Sequence, residues 1–428
     1  MQLTVRHHEV RCSARCFRLT AVPDCVHAIV QGTSVYELTE SSSSKCSLSD
    51  GGSPLAAAES VAYSPDGRWL ALATASEVLI VDSVSRETVT AIPQAKVQAM
   101  HFSPRGTYLL TWHKPSDDEE NLVVWTAQGG DKVGAFKQKH LSTEVWPSLQ
   151  WTPDEAFITR AANGRLGFYP AAGFVPSAPD TVMTIPAFAG YSIGPGAAPY
   201  TIAIARRPAK GKPGCVALYR YPNLKLPQAV AARSVMKVDG ATYHWAPDGT
   251  ALLAHVMSDS GDSYYGDTSL VLLAADGAAA AEISPGQALH DVAWCPDSKR
   301  FVVIAGNSPP KCTMHSRTGK PIFSFGNLYR NTVKWAPCGR FLALGGFAGM
   351  AGGVDFWDVK TERRLGSTKI DMVNDCAFSP DGKWFLVNTE YHRMKTDNKA
   401  PLGVVAAGVR NHSNCEVQAQ RRCWVDGS

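Results

Sequence analysis

The chain is written in short apolar runs, cut again and again by small, polar and turn-forming residues. Ser60 to Tyr63 runs into Ser64-Pro65-Asp66-Gly67, and Arg68 to Ala73 follows, which reads as strand, tight turn, strand. Proline presets φ at the second turn position, Asp bonds its own backbone two residues on, and Gly accepts positive φ. Phe341 to Leu344 and Trp384 to Val387 occupy the same slot further along. A third run comes next and often ends in an aromatic residue or Asp, as in Val78 to Asp82, Leu122 to Trp125, Val216 to Tyr219 and Val354 to Asp358. A fourth, such as Val133 to Phe136, completes the unit. Apolar and β-branched runs broken by Gly and Pro predict buried strands, and no amphipathic helical stretch of convincing length interrupts them.

The unit repeats. An aromatic residue is followed two positions later by proline at Tyr63-Pro65, Phe102-Pro104, Trp151-Pro153, Trp245-Pro247, Trp294-Pro296, Trp335-Pro337 and Phe378-Pro380. A degenerate copy, Ile193-Gly194-Pro195, fills the long gap, so the prolines step by 39, 49, 42, 52, 49, 41 and 43 residues. That period matches a four-stranded propeller blade of roughly 40–50 residues. Stacked two-sheet sandwiches share the short strands, but they do not repeat one turn sequence at one period. The expectation is an all-β, WD-repeat-like β-propeller with eight recognisable repeats.

Residues 1–395 are assigned to the propeller and 396–428 to a divergent, poorly structured tail. The first 38 residues hold strand-like pieces without the turn signature, and a serine-rich segment within 40–54 reads as a flexible connection. After Asn388 a third strand is due, yet Gly403 to Ala407 is the remaining candidate, so the last blade is expected to be incomplete. An unfinished blade would expose a free strand edge.

By length alone, 428 residues suggest two or three domains, but repeats add core blade by blade. The net charge of +4 is too mild to announce nucleic-acid binding by itself. The 11 cysteines form no Cys-x-x-Cys pair, and Cys295 and Cys338 sit inside the repeated turn, as reduced structural thiols of a cytoplasmic protein would. The first residues, Met1 to His8, lack the apolar stretch of a signal peptide, and no apolar run is long enough to span a membrane.

Several strings go beyond a generic propeller. They are Ile193-Gly194-Pro195-Gly196-Ala197-Ala198-Pro199-Tyr200 with Val216 to Asn223, Ser263-Tyr264-Tyr265-Gly266, and Gly345-Gly346-Phe347-Ala348-Gly349 before Val354 to Val359. In this order and spacing they resemble the eukaryotic translation initiation factor 2A family over about residues 55–395. The resemblance implies a nine-bladed propeller that associates with the small ribosomal subunit. It also implies an initiation factor that assists placement of initiator tRNA and mRNA alongside other initiation factors, without nucleotide hydrolysis. The family's lysine-rich, helical C-terminal extension has no counterpart in this sequence, which puts tRNA delivery in question. Two other readings stand beside it: a protein–protein scaffold unrelated to ribosomes, and the propeller subunit b of eukaryotic initiation factor 3. That subunit carries an RNA-recognition domain ahead of its propeller, where this chain has about fifty unrelated residues before the first turn.

Candidate sites are few. Arg206, Arg207, Lys210 and Lys212 lie on one inter-strand loop and are the RNA-binding candidates, able to meet phosphates without reading bases. The other reading of the same loop is a mobile, solvated one whose charges serve solubility. Arg6, Arg11, Arg15 and Arg18 form a second basic cluster, for which an exposed strand face is the simpler account. Gly345 to Gly353 imitates a phosphate cradle, but no Gly-Lys-Ser/Thr follows and no helix starts there, so a flexible inter-strand loop is expected. His7 and His8 would point to opposite faces of a strand. Asp82, Asp358, His290 and Asp291 recur at equivalent blade positions, which suits turn-fixing hydrogen bonds better than catalysis. Tyr264 and Tyr265 could stack on bases, anchor a protein or simply pack their loop. No cofactor, metal set or catalytic constellation is expected, and the protein reads as non-enzymatic.

Overall fold

A computed structural model describes the backbone at 19–22, 25–30, 34–41, 45–50 and 58, and then over 60–388. The latter span has breaks at 86, 117–118, 142–145, 210, 259–266, 284–286, 348–349, 370–374, 379–381 and 383–384. The expected N-terminal Arg6, Arg11, Arg15 and Arg18 cluster, His7 and His8, Lys210, Tyr264, Tyr265 and the 396–428 tail lie outside the described residues.

The fold is an all-β propeller. Its described strands form eight four-stranded antiparallel sheets, each in sequential order, followed by a two-stranded one. We number them as blades I (19–50), II (60–92), III (97–136), IV (149–184), V (188–235), VI (240–282), VII (289–327), VIII (332–369) and IX (375–388). The non-strand element among them is one 3₁₀ turn, Leu226–Gln228. No helix is long and apolar enough to cross a membrane.

The described part of the segment within 40–54 that was expected to be a connection is strand. Lys45–Asp50 pairs with Ser34–Ser41 in the register Ser41↔Lys45 to Tyr36↔Asp50 and completes blade I. The run of serines hid a period-two pattern, Cys46 and Leu48 alternating with Ser47 and Ser49. Blade I lacks the aromatic-x-Pro turn, so the count of repeats fell one short of the sheets.

The chain divides into two compact units, 1–142 with 364–428, and 143–363. In the first, Ala62, Ala71 and Ile80 of blade II pack with Phe102, Leu109 and Val123 of blade III in one buried cluster. In the second, one such cluster joins each consecutive pair from blade IV to blade VIII. Second strands are mostly apolar, and those of blades V, VI and VII contribute to the clusters on both of their sides. Trp69–Ala73 and Phe341–Gly345 are buried at every residue. Fourth strands alternate or stay exposed, as Thr181–Thr184 and Pro321–Asn327 do, since one edge faces water.

The repeated turn is one device, built six times among the described residues. The residue after the aromatic pairs its N–H and C=O across the turn: Ser64 N–H donates to Trp69 O at 2.9 Å, and Gly67 N–H donates to Ser64 O at 2.9 Å. Ser103, Thr152, Ala246, Cys295 and Ala336 make the same two bonds. Ser64, Ser103 and Thr152 add a side-chain oxygen that accepts the N–H five residues on, at 2.8, 2.9 and 3.0 Å. The fourth turn residue adopts left-handed φ in all six, as Gly67, Gly106, Glu155, Gly249, Ser298 and Gly339. In the degenerate copy, Gly194 takes the slot because a Cβ there would press to 3.2 Å from the Trp245 ring of the next blade.

Consecutive turns interlock. Asp248 N–H donates to Ser298 Oγ at 3.1 Å, and Cys295 Sγ donates to the Gly339 carbonyl at 3.4 Å. Tyr200 donates to Asp154 Oδ2 at 2.6 Å, and Gly249 leaves no room for a Cβ against Gly196 N. Antiparallel order puts the first–second and third–fourth turns at one end of every blade. The second–third loops and the blade-to-blade connections lie at the other.

Candidate RNA-facing surface

The predicted basic loop is a hairpin between Thr201–Arg206 and Gly214–Arg220 of blade V, closed in the register Arg206↔Cys215. Its tip is a tight turn in which Ala209 and Lys212 exchange backbone bonds of 3.2 and 3.0 Å, with Gly211 at φ 76°. The hairpin is stapled to both flanking connections, which argues against a freely mobile loop. Arg207 N–H donates to Ala187 O at 2.7 Å, and its guanidinium donates to Phe188 O at 2.6 Å and Asp239 O at 3.2 Å. On the far side, Gly214 is so close to Val238 that a Cβ would collide with it.

The structure therefore separates the predicted quartet. Arg206 ends its strand half-buried, with Nε enclosed and without a hydrogen-bond partner. Its charge acts on Tyr219, whose hydroxyl is pushed up by burial and drawn back in part by Arg206. Arg207 is exposed but committed to two carbonyls. Lys212 is the exposed cation at the described tip.

Four cations that lie apart in the sequence share this loop end in unit 143–363. They are Arg165 at the blade IV hairpin, Lys237 beside the stapled Val238, Lys311 at the start of the blade VII third strand, and the partly exposed Arg330 before blade VIII. Among the described residues, Asp239 is the exposed acid at this end. Met236, 83% exposed, stands next to Lys237. At the turn end, by contrast, exposed Asp248, Asp276 and Asp297 interleave with Lys299, Arg317 and Lys320. Sequence reading missed the distributed cations because each is a single charge; only the repeat topology, applied loop by loop, would have collected them.

The other candidates resolve into structural roles. Asp82 Oδ1 accepts the N–H of Val84 and Ser85 at 2.9 and 3.0 Å, and the Ser85 bond is the main reason its carboxyl lies below the usual carboxylate range. Burial raises the Asp358 carboxyl, but Arg340 at 2.7 Å and the Lys360 N–H more than offset it. Asp291 takes the Val333 N–H of the next blade at 2.7 Å, and burial holds its carboxyl above the usual range. His290 Nε2 meets Gly306 O at 2.8 Å. Burial pushes the Cys295 thiol up to about 11 and that of Cys312 up to about 12, so neither is a nucleophile near neutral pH. Among the described residues, no three His, Cys, Asp or Glu are grouped to hold a metal ion.

The glycine-rich segment is the expected inter-strand loop, and hydrogen bonds link its described residues. Asn331 Nδ2 donates to Phe347 O at 2.8 Å while Asn331 Oδ1 accepts the Phe347 N–H at 2.9 Å. Gly346 N–H donates to Gly353 O at 2.8 Å, and Gly352 N–H donates to Gly346 O at 2.9 Å.

Residues 233–402 match the family model described as eukaryotic translation initiation factor eIF2A. The chain is 30% identical over 345 residues to eukaryotic translation initiation factor 2A of Dictyostelium discoideum, covering 79% of this chain and 56% of that protein. It is 29% identical over 356 residues to the factor of the same name from Schizosaccharomyces pombe, covering 81% and 61%. The chain thus spans between half and two thirds of the length of these relatives. A solved structure described as a crystal structure of the eukaryotic initiation factor superposes with a TM-score of 0.77 at 23% identity, covering 92% of this chain and 95% of that one, which shows the shared fold.

Proposed function

Since the chain is related to eukaryotic translation initiation factor 2A through its propeller, we propose that it works in translation initiation by docking the loop end of unit 143–363 against RNA of the small ribosomal subunit. One observation carries this reading: among the described residues, the exposed charge at that end is Arg165, Arg207, Lys212, Lys237 and Lys311, opposed by Asp239. Cations spread across several rigid loops suit phosphates along a folded RNA backbone, which they position without reading sequence. The work is steric and electrostatic. The loops hold the propeller on the subunit, and initiator tRNA, mRNA and other initiation factors are influenced through that placement, without nucleotide hydrolysis or catalysis by this chain.

The test is cosedimentation of the purified protein with small subunits over a salt series. Lys212→Glu, Lys237→Glu and Lys311→Glu together leave the staples of Arg207 in place. They should weaken binding and flatten the dependence of log affinity on log salt by roughly one per lost contact. Unchanged affinity and slope would reject RNA docking by this end and leave the scaffold reading in its place.

A further inference from the structure

We propose that Tyr329 is a stacking platform for an unpaired RNA base, held out from the loop end by a clamp that the blade VIII glycines close. The inference rests on the loop-end docking described above.

Tyr329 lies in the connection between Pro321–Asn327 of blade VII and Thr332–Trp335 of blade VIII. It is 60% exposed, and no other aromatic residue stands among the large hydrophobics exposed in the described part of the chain. The backbone beneath it is fixed at every step. Leu328 N–H donates to Pro310 O at 3.0 Å, and Arg330 N–H donates to Leu328 O at 2.7 Å. Arg330 Nη1 donates to the carbonyl of Tyr329 itself at 2.8 Å. The same guanidinium is anchored below, with Nε 3.0 Å and Nη2 2.8 Å from Oδ2 of Asp355, which is 2% exposed.

The glycines complete the clamp. A Cβ at Gly353 would lie 2.8 Å from both Nη1 and Nη2 of Arg330, and one at Gly346 would collide with the Tyr329 carbonyl oxygen. Burying a charged pair is costly, and glycine weakens a strand. Here both immobilise a four-residue connection whose one aromatic ring remains mostly in water. A ring whose backbone is already ordered loses little freedom on binding, which favours its use as a contact.

The surroundings decide what it contacts. Protein anchors sit among other apolar groups that exclude water. Among the described residues, those exposed in the loops and connections of blades VII and VIII at this end are Gln287, Asn307, Ser308, Lys311, Asn327 and Ala351. A bare ring with mostly polar exposed residues and a lysine at the same end suits base stacking beside a phosphate, since every base offers a π-face.

The experiment measures binding of the full chain to fluorescent oligouridylate and oligoadenylate, to deproteinised small-subunit RNA and to intact subunits, each across a salt series. Tyr329→Ala should weaken all four by about 5- to 100-fold, the range of one lost stacked base. The slope against salt should stay as in the wild type, because no phosphate contact is lost. Tyr329→Phe and Tyr329→Trp should retain affinity. Wild-type affinity for RNA in Tyr329→Ala, with binding still weakened by the three lysine reversals, overturns stacking and leaves docking intact. Loss of affinity for intact subunits alone assigns the ring to a ribosomal protein and also overturns it. A wild-type chain that binds none of these RNAs overturns the docking reading, and this inference with it.

Discussion

At Gly346 and Gly353 the missing side chain matters because of what a methyl group would strike: a carbonyl oxygen and a guanidinium that is already committed. Gly353→Ala should therefore destabilise the protein by about 1–3 kcal/mol, the usual range for overpacking. The change would be seen as a lowered urea midpoint with an unchanged m-value. A midpoint equal to the wild type would mean that Arg330 moves aside freely, and the clamp would lose its rationale. The sequence made plain that this segment is no phosphate cradle. It could not show that Tyr329, Arg330 and Asn331, some fifteen residues earlier, are what the glycines fit. A side-chain partnership made at one place in the fold leaves no periodic trace.

Between blades, the aromatic of the repeated turn acts as a staple as well as a core residue. Trp294 Nε1 donates to His244 O at 2.8 Å and Trp335 Nε1 to Ala293 O at 3.2 Å, each reaching the first strand of the preceding blade. Trp245 Nε1 reaches Ser192 Oγ at 3.0 Å in the same way. Trp294→Phe keeps the ring and removes the donor, so it should cost about 1 kcal/mol, whereas Trp294→Ala should cost about 3–5 kcal/mol. Equal losses in thermal unfolding would show that the N–H bond rather than the ring dominates. The period of these aromatics was readable because an aromatic recurs at the same core position before the turn, and in blades VI, VII and VIII it is a tryptophan that also makes the staple. Blade I, built without it, was read as loose strand-like pieces and a connection.

For the folded unit 143–363, acid is the weak side. His255 is held down to about 4 by burial, with nearby His244 adding to it, and His244 is itself lowered by burial. Both are neutral when folded at pH values where the unfolded chain, with an ordinary value near 6.5, takes up protons. Stability should thus fall as pH drops from about 6.5 towards 4, by at most about 3 kcal/mol for His255, and this contribution should level off below that. Asp297 and Asp358, held low, give further losses below their ordinary 3.8. His255→Leu should flatten the profile between 6.5 and 4 in chemical-denaturation measurements; an unaltered profile would place the sensitivity elsewhere. The fold was legible at this scale and the surface was not. Arg206 and Arg207 stood out as neighbours in the sequence, yet one is half-buried and the other is engaged with backbone. Lys237 and Lys311 meet them only once the blades are stacked.

A corner that hydrogen-bonds to the next corner has no slack for extra residues. The contacts of Asp248 with Ser298 and of Cys295 with Gly339 tie the spacing within each corner to that of its neighbour. Foreign sequence grafted between Pro296 and Lys299 should unzip two blades at once, whereas a graft at the Lys212 tip of the blade V hairpin lies beyond the Arg207 bonds that tie that loop to its neighbours. Within unit 143–363, divergence in length, natural or engineered, is therefore best placed at hairpin tips beyond such ties.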